Sequence, residues 1–499
     1  MNNKGQTTIL FSLITGILLL FTLTALEVGR IHLRTVKIKP CVHSMRSSVM
    51  ADYNAELFER YHLLFIDPTY GTGSEAVLEE KIVDYLETSL NGEEGSNIYQ
   101  FQVEEVALSE MKTIMSDNMK LLKQQIKDYE STAGIANEIK DLLLDFGNGD
   151  ADLEEAAKET KINGKELPVA AENKEDNGNS DGEKEDGKTA VKEEDYKDPR
   201  ETLKESLKFG ILSFVAPGKN YSKEAYKLKV VPSEKYDEVQ KKERNRNFDD
   251  IGYLNTFLEE VMQENAFNQL AESVSFAGYV TAHCSNAMNP KGDTVMQCEV
   301  EYILKGKDND YDNTEAVIEE MTWLRMPVNY AYLLTDVGKK SQALTLATAI
   351  SIVTGTEPFV EVIKYLLLAC WAYGESLYEM QVLLSGEEIA YIKTSGTWYT
   401  DLETLTAVNS VAKQTNGMSY EDFLTILLVK KTGDSLDKGY ARILDVIQLN
   451  LTKDYPTFRI TDCVGAMTIQ GRISMNPLFQ KSEEEGVYDY YFEEHFSYE

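Results

Sequence analysis

Between Lys4 and Glu27 the chain has no charged side chain, and the run QTTILFSLITGILLLFTLTAL (6–26) has no counterpart in the remaining sequence. About 20 apolar residues in a helix cover the roughly 30 Å core of a bilayer. A cleaved secretory signal has an apolar core of about 7–15 residues followed by a small-x-small site. Here the core is longer, and Leu26-Glu27-Val28-Gly29-Arg30 offers no such site. A buried core helix is the competing reading, but nothing on this helix offers a polar face to water. The run predicts a retained transmembrane helix over 7–27, after a short leader at 1–6. Leu10, Phe11, Leu13, Ile14, Ile17, Leu18, Leu19 and Leu20 would make the lipid or helix-packing contacts.

The helical pattern continues past the apolar run. Val28, Ile31, Ile38, Val42, Met45 and Val49 recur every three or four residues, continued by Tyr53 and Leu57. That spacing marks one apolar stripe of an amphipathic helix. Pro40 removes one backbone hydrogen bond, so a kink is expected there. Arg30, Arg34, Lys37, Lys39 and Arg46 follow the span, while Lys4 alone precedes it. By the positive-inside rule this bias places the large C-terminal part in the cytoplasm.

With 499 residues the chain has room for two domains. Its formal net charge of −33 excludes sequence-independent binding to nucleic acid, because phosphates are repelled. The five cysteines (Cys41, Cys284, Cys298, Cys370, Cys463) form no CxxC pair and no metal-ligand spacing. Cys284 and Cys298 end and begin two strand-like runs, so a hairpin disulfide and a pair of buried free thiols are both open.

Residues 28–146 read as the helical spine and a first α+β region, with helices near 75–90, 111–129 and 135–146 and a strand at Phe101–Glu104. From 147 to 200 the chain is charged and rich in Gly and Asn, too poor in apolar residues to offset chain entropy, and reads as an acidic disordered linker. Residues 201–499 read as the main α+β domain. Val274–Val280 and Cys298–Leu304 alternate like strands. A helical region runs from Asn313 to Leu384, with breaks at Pro327, Gly338 and Gly355–Pro358. Ser419 with Asp422 forms a capping box, Arg442–Leu451 is helical, and the chain ends in strands around Met467–Met475 and Tyr488–Tyr498.

The strongest candidate for a ligand site is KGKDNDYDNTEAVIEE (305–320). Asp308, Asp310, Asp312 and Glu319 fall at positions one, three, five and twelve of a calcium loop. The sixth position is Asn313 rather than Gly, and the competing reading is a helix start capped by Asp312 or Asn313. GTGS at 71–74 lacks the Walker lysine, and neither a serine elbow nor HExxH occurs. The residues point to no catalytic group, cofactor or small-molecule substrate.

Lys4-Gly5-Gln6 before the apolar helix, with Glu27-Val28-Gly29-Arg30 after it, resembles the TadE/TadG-like minor pseudopilins of tight-adherence (Tad) pili and the basic-Gly leaders of class III prepilins. The segments VEYILKGK (300–307), LRMPVNYAYLLTD (324–336), ACWAYGESLYEMQVLLSGE (369–387), SYEDFLTILL (419–428) and RILDVIQLNL (442–451) resemble a family of large Firmicutes proteins encoded in Tad-like pilus loci. The resemblance implies a single-pass, non-enzymatic accessory component of a pilus or secretion assembly, with its large domain outside the cell. Its partners would be the lipid bilayer and other membrane proteins of the locus. It also implies a leader cut between Gly5 and Gln6. Prepilins carry Glu at the fifth position after that glycine, and this chain has Leu10 there, so an uncleaved helix stands beside the cleaved one. A surface adhesin or ligand-binding sensor, using the acidic loop and the aromatic tail, is the alternative.

Overall fold

The computed structural model describes residues 3–74, 76–92, 99–134, 137–143, 199–228, 231–243, 264–403, 405, 417–479, 486 and 488–498. The expected linker at 147–200, apart from its last two residues, lies outside them. Two compact units interleave along the chain: unit 1 takes 1–133, 227–253 and 433–499, and unit 2 takes 134–226 and 254–432. The last strands therefore fold with the first helix, rather than with the middle of the chain as a 201–499 domain would have them.

Unit 1 is built on helix α1 (Asn3–Ala51) and a three-stranded antiparallel sheet in the order β1 (Phe101–Thr113), β2 (Val464–Met475), β3 (Asp489–Ser497). Strand β2 is central and mostly buried, and Ile469 faces Leu108 on one side and Glu494 on the other. At Gly471 a Cβ would stand 2.6 Å from the Phe492 ring and 2.7 Å from the Glu105 carbonyl oxygen, so only glycine fits. Ile38, Val42, Met45 and Val49 of α1 pack with Leu78, Ile82 and Leu86 of α3 (Ala76–Asn91), together with Met467, Ile469, Phe492 and Phe496 of the sheet. Each such side chain stabilises by about 1.5–3 kcal/mol when buried. The expected stripe on α1 is thus the core-facing one from Ile38 onward, with Ile31 partly buried and Val28 exposed.

Helix α1 continues through Pro40, which is exposed. After Ala51 the chain turns, and the Asn54 side chain caps α2 (Ala55–Tyr61) by accepting from Leu57 N–H at 2.9 Å. Helix α4 (Ser116–Ala133) completes this part of unit 1. Glu130 on α4 is buried, and neither of its carboxylate oxygens has a partner among the described residues. Burial pushes its pKa up to about 7. A raised carboxylate pKa means that the native state favours the neutral acid. This contribution is therefore full below about pH 4.5 and is lost as pH rises through 7. Glu130→Gln should match the parent at about pH 4 and exceed it by about 3 kcal/mol near pH 8.5, measured by urea unfolding followed by circular dichroism. Equal stability at both pH values would refute this.

Unit 2 is helical in the described residues. It contains α5 (Pro199–Ser206), α6 (Ile211–Val215), α8 (Glu264–His283), α9 (Glu299–Lys305), α10 (Asp310–Thr335), α11 (Val337–Thr354), α12 (Val360–Leu384) and α13 (Tyr420–Val429). Helices α7 (Pro232–Glu243) and α14 (Gly433–Thr452) belong to unit 1. One core cluster of unit 2 joins Leu333 of α10, Ala343 and Ala347 of α11, Leu367, Leu368 and Trp371 of α12, and Trp398 of the following loop. The expected break at Pro327 is absent, since α10 continues through it. The chain breaks instead at Asp336, whose side chain caps α11 through Lys339 N–H at 2.9 Å. The Ser419–Asp422 capping box forms as expected.

Two strand expectations fail. Residues 274–280 lie in α8 and 298–304 form the N-cap and body of α9. Val274 and Phe276–Val280 are all buried, as are Glu299–Leu304, so both helices are enclosed on several sides and show no single apolar face. A short enclosed helix and a strand then give the same pattern.

Candidate functional site

Three places concentrate the chemistry: the apolar half of α1, a buried charge cluster in unit 2, and the acidic turn before α10.

The apolar half of α1 is the one described helix long and apolar enough to cross a membrane. Its best 18-residue window has a mean hydropathy of 2.5 and is 0% buried in protein. Leu10, Phe11, Leu13, Ile14, Ile17, Leu18, Leu19 and Leu20 are all exposed. Thr15, Thr22 and Thr24 turn their hydroxyls onto the helix's own carbonyls, at 2.8–2.9 Å from Phe11, Leu19 and Leu20, so they present no unsatisfied donor. Gly5 and Gln6 lie within α1. Where the apolar run ends, the helix is clamped. Arg30 donates to both oxygens of Glu27 at 2.9 Å and to the carbonyls of Tyr99 and Asn476 at 3.1 Å. Both charged side chains are buried. Tyr99 precedes β1 and Asn476 follows β2, so one guanidinium ties the end of the apolar segment to the end of the sheet.

The unit 2 cluster is the most heavily bonded group of charges in the described residues. Arg325 forks onto Glu379 at 2.8 and 3.0 Å and donates to the carbonyls of Ala390 and Tyr391 at 3.1 Å. Lys393 reaches Glu375 at 2.6 Å, Glu379 at 2.9 Å and the Thr397 carbonyl at 2.8 Å. Glu375 also accepts from the backbone of Tyr399 and Thr400 and from the Thr400 hydroxyl, at 2.7–3.0 Å. Asn329 adds a bond to Glu379 at 2.9 Å. The four ionic side chains are at most 1% exposed. Although burial alone would raise it, the Arg325 and Lys393 charges hold the Glu379 carboxyl down at about 2. Two cations balance two carboxylates, and the three Lys393 donors are used. The arrangement is therefore a charge-balanced brace that fixes the loop 388–400 to α10 and α12, in which the buried Asn329 Oδ1 is an atom that no described residue meets.

The acidic turn does not assemble a cation site. Asp310 is buried and accepts from the Tyr226 hydroxyl at 2.7 Å and from the backbone of Cys298 and Gln297 at 3.2 and 3.3 Å. Asn309, rather than Asp312 or Asn313, caps α10. Asp312 is exposed and held by Asn309, and Glu319 is exposed further along the helix. Among the described residues no three His, Cys, Asp or Glu side chains come together to hold a metal. Cys284 and Cys298 are both buried free thiols, with burial pushing their pKa values up. They follow α8 and precede α9 rather than framing a hairpin. Glu301, missed in the sequence, lies near Cys298. It accepts from the Tyr420 hydroxyl at 2.7 Å and from Ala287 N–H at 3.0 Å, and burial raises it to about 7.

Residues 189–475 match a family described as DUF5702, a family of unknown function. The chain belongs to the DUF5702 family. No curated protein and no solved structure matches it. The matched DUF5702 region contains all four residues of the charge cluster and the acidic turn, and it ends with the last residue of β2. The apolar half of α1 and strand β3 lie outside the matched region.

Proposed function

We propose that this DUF5702 member is a non-enzymatic, membrane-anchored component of a surface, pilus or secretion assembly, with its folded units outside the cell. The observation that carries the reading is the double use of α1. One unbroken helix presents an apolar surface of bilayer length and then supplies the wall of the unit 1 core, locked at the junction by Arg30. A helix built this way transmits force or position between bilayer and domain without a flexible joint. The N-terminal resemblance to minor pseudopilins, a spanning segment running into an amphipathic spine, supports the assembly role. The charge-balanced brace in unit 2 supports a structural rather than catalytic one.

The adhesin alternative draws on surfaces that are only in part free: Tyr491 of the tail and Asp312 and Glu319 of the turn are exposed. Phe492 and Phe496 of the aromatic tail are buried, Tyr490 and Tyr498 pack on the same core, and Asp310 of the acidic turn is fully bonded.

The basic flank after Glu27 favours the opposite orientation by the positive-inside rule, so topology is the deciding measurement. Ser131 is exposed on α4, whereas four of the five cysteines are buried. In a Cys370→Ser background, Ser131→Cys should react with a membrane-impermeant maleimide on intact cells. Labelling only after lysis would place unit 1 inside and overturn the proposal.

A further inference from the structure

We infer that the segment of α1 just beyond the apolar run is a docking collar for the headgroups of anionic phospholipids. The inference rests on the membrane-anchor reading above and adds the lipid class to it.

The chain has 83 acidic residues, yet none lies between Val28 and Ala51. That interval holds Arg30, Arg34, Lys37, Lys39 and Arg46 with His32 and His43. Three of the cations are engaged: Arg30 in the clamp, Arg46 with Glu494 at 3.5 Å, and Arg34. Lys37 and Lys39 are exposed, with no hydrogen bond or ion pair to another described residue. The side of the helix turned away from the sheet carries apolar residues as well. Leu26, Val28, Leu33 and Val36 are 52–69% exposed, although the opposite side, from Ile38 to Val49, is buried in the core. Exposed apolar side chains interleaved with cations on one helical face are the composition of an interfacial membrane surface.

The distances allow the contact. Lys37 lies ten residues past Glu27, about 15 Å along the axis. The headgroup layer extends roughly 6–7 Å beyond the hydrocarbon core. An upright helix thus leaves the Lys37 Cα within about one Debye length of the headgroups, and a tilt toward this face moves Leu33 and Val36 closer to them. In a chain of net charge −33, whose bulk is repelled by an anionic leaflet, a collar with no acid is the complementary surface.

The test uses the full chain reconstituted in phosphatidylcholine vesicles with a trace of spin-labelled phosphatidylcholine or phosphatidylglycerol. The readout is the motionally restricted lipid fraction at the protein boundary. The expected result is a selectivity for phosphatidylglycerol of about fivefold at low salt, the ratio given by about 1 kcal/mol per surface cation. That selectivity should fall toward one in high salt and in the Lys37→Gln/Lys39→Gln variant, whose exposed substitutions leave the core untouched. Equal restriction of the two lipids, or a preference that survives the double substitution, overturns the collar while leaving the anchor standing. No restricted component with either lipid overturns both.

Discussion

Lys393→Met should destabilise unit 2 by about 3–5 kcal/mol, the cost of removing one partner from a buried ion network. The change leaves Glu379 with Arg325 and takes from Glu375 its ion-pair partner, at a place where the side chains are at most 1% exposed. Trp323, Trp371 and Trp398 are the three tryptophans of the chain and all lie in unit 2, and Lys393 sits 5.6 Å from the Trp398 ring centre. Denaturant unfolding followed by tryptophan fluorescence therefore reports this unit directly. Glu375→Gln added to Lys393→Met should recover part of the loss by removing the unpaired charge. A midpoint within 1 kcal/mol of the parent would show that the brace is dispensable. The pH dependence follows with the opposite sign to that of Glu130. The Glu379 carboxyl is held below its ordinary 4.5, at about 2, so its contribution is complete above pH 4.5 and lost as pH falls toward 2.

The second large effect concerns the anchor. Ile14→Arg with Leu18→Arg places two charges on one face near the middle of the apolar run, each costing about 2.5–3.5 kcal/mol at a helix centre. The variant should move from the membrane pellet to the soluble fraction after carbonate extraction, with the unit 1 core unchanged because neither position touches it. Retention in the pellet at parental levels would mean that the helix is held by something other than lipid. The Lys37→Gln/Lys39→Gln variant should stay in the pellet, which separates the span from the collar.

Much of unit 1 was legible because α3, β3 and the later half of α1 each have one wet and one dry face. The α1 stripe, α3 and the strands at 464–475 and 489–497 follow simple periods of 3.6 or two, and the capping box at Ser419 is a local signal that survived folding. The failures sit where burial is all-round. In α8 and α9 the apolar residues surround the helix, so the period that identifies a helix disappears. The charge brace was illegible for another reason. Arg325, Glu375, Glu379 and Lys393 are ordinary charged residues in a chain full of them, and their spacing of up to 68 positions carries no local pattern. The acidic turn misled because calcium spacing and a capped helix start draw on the same residues. Only the positions of Tyr226, Cys298 and Gln297 showed that Asp310 was already in use.

The sequence alone determined that a bilayer-length apolar helix precedes a strongly acidic chain, because hydropathy and charge add residue by residue and need no partner. The tertiary structure decided that this helix is continuous with the core of unit 1, that the chain's two ends share that unit, and that Arg30, Arg325 and Lys393 meet buried carboxylates. Those outcomes depend on long-range contacts, such as Arg30 reaching Asn476, whose free energy comes from groups hundreds of residues apart.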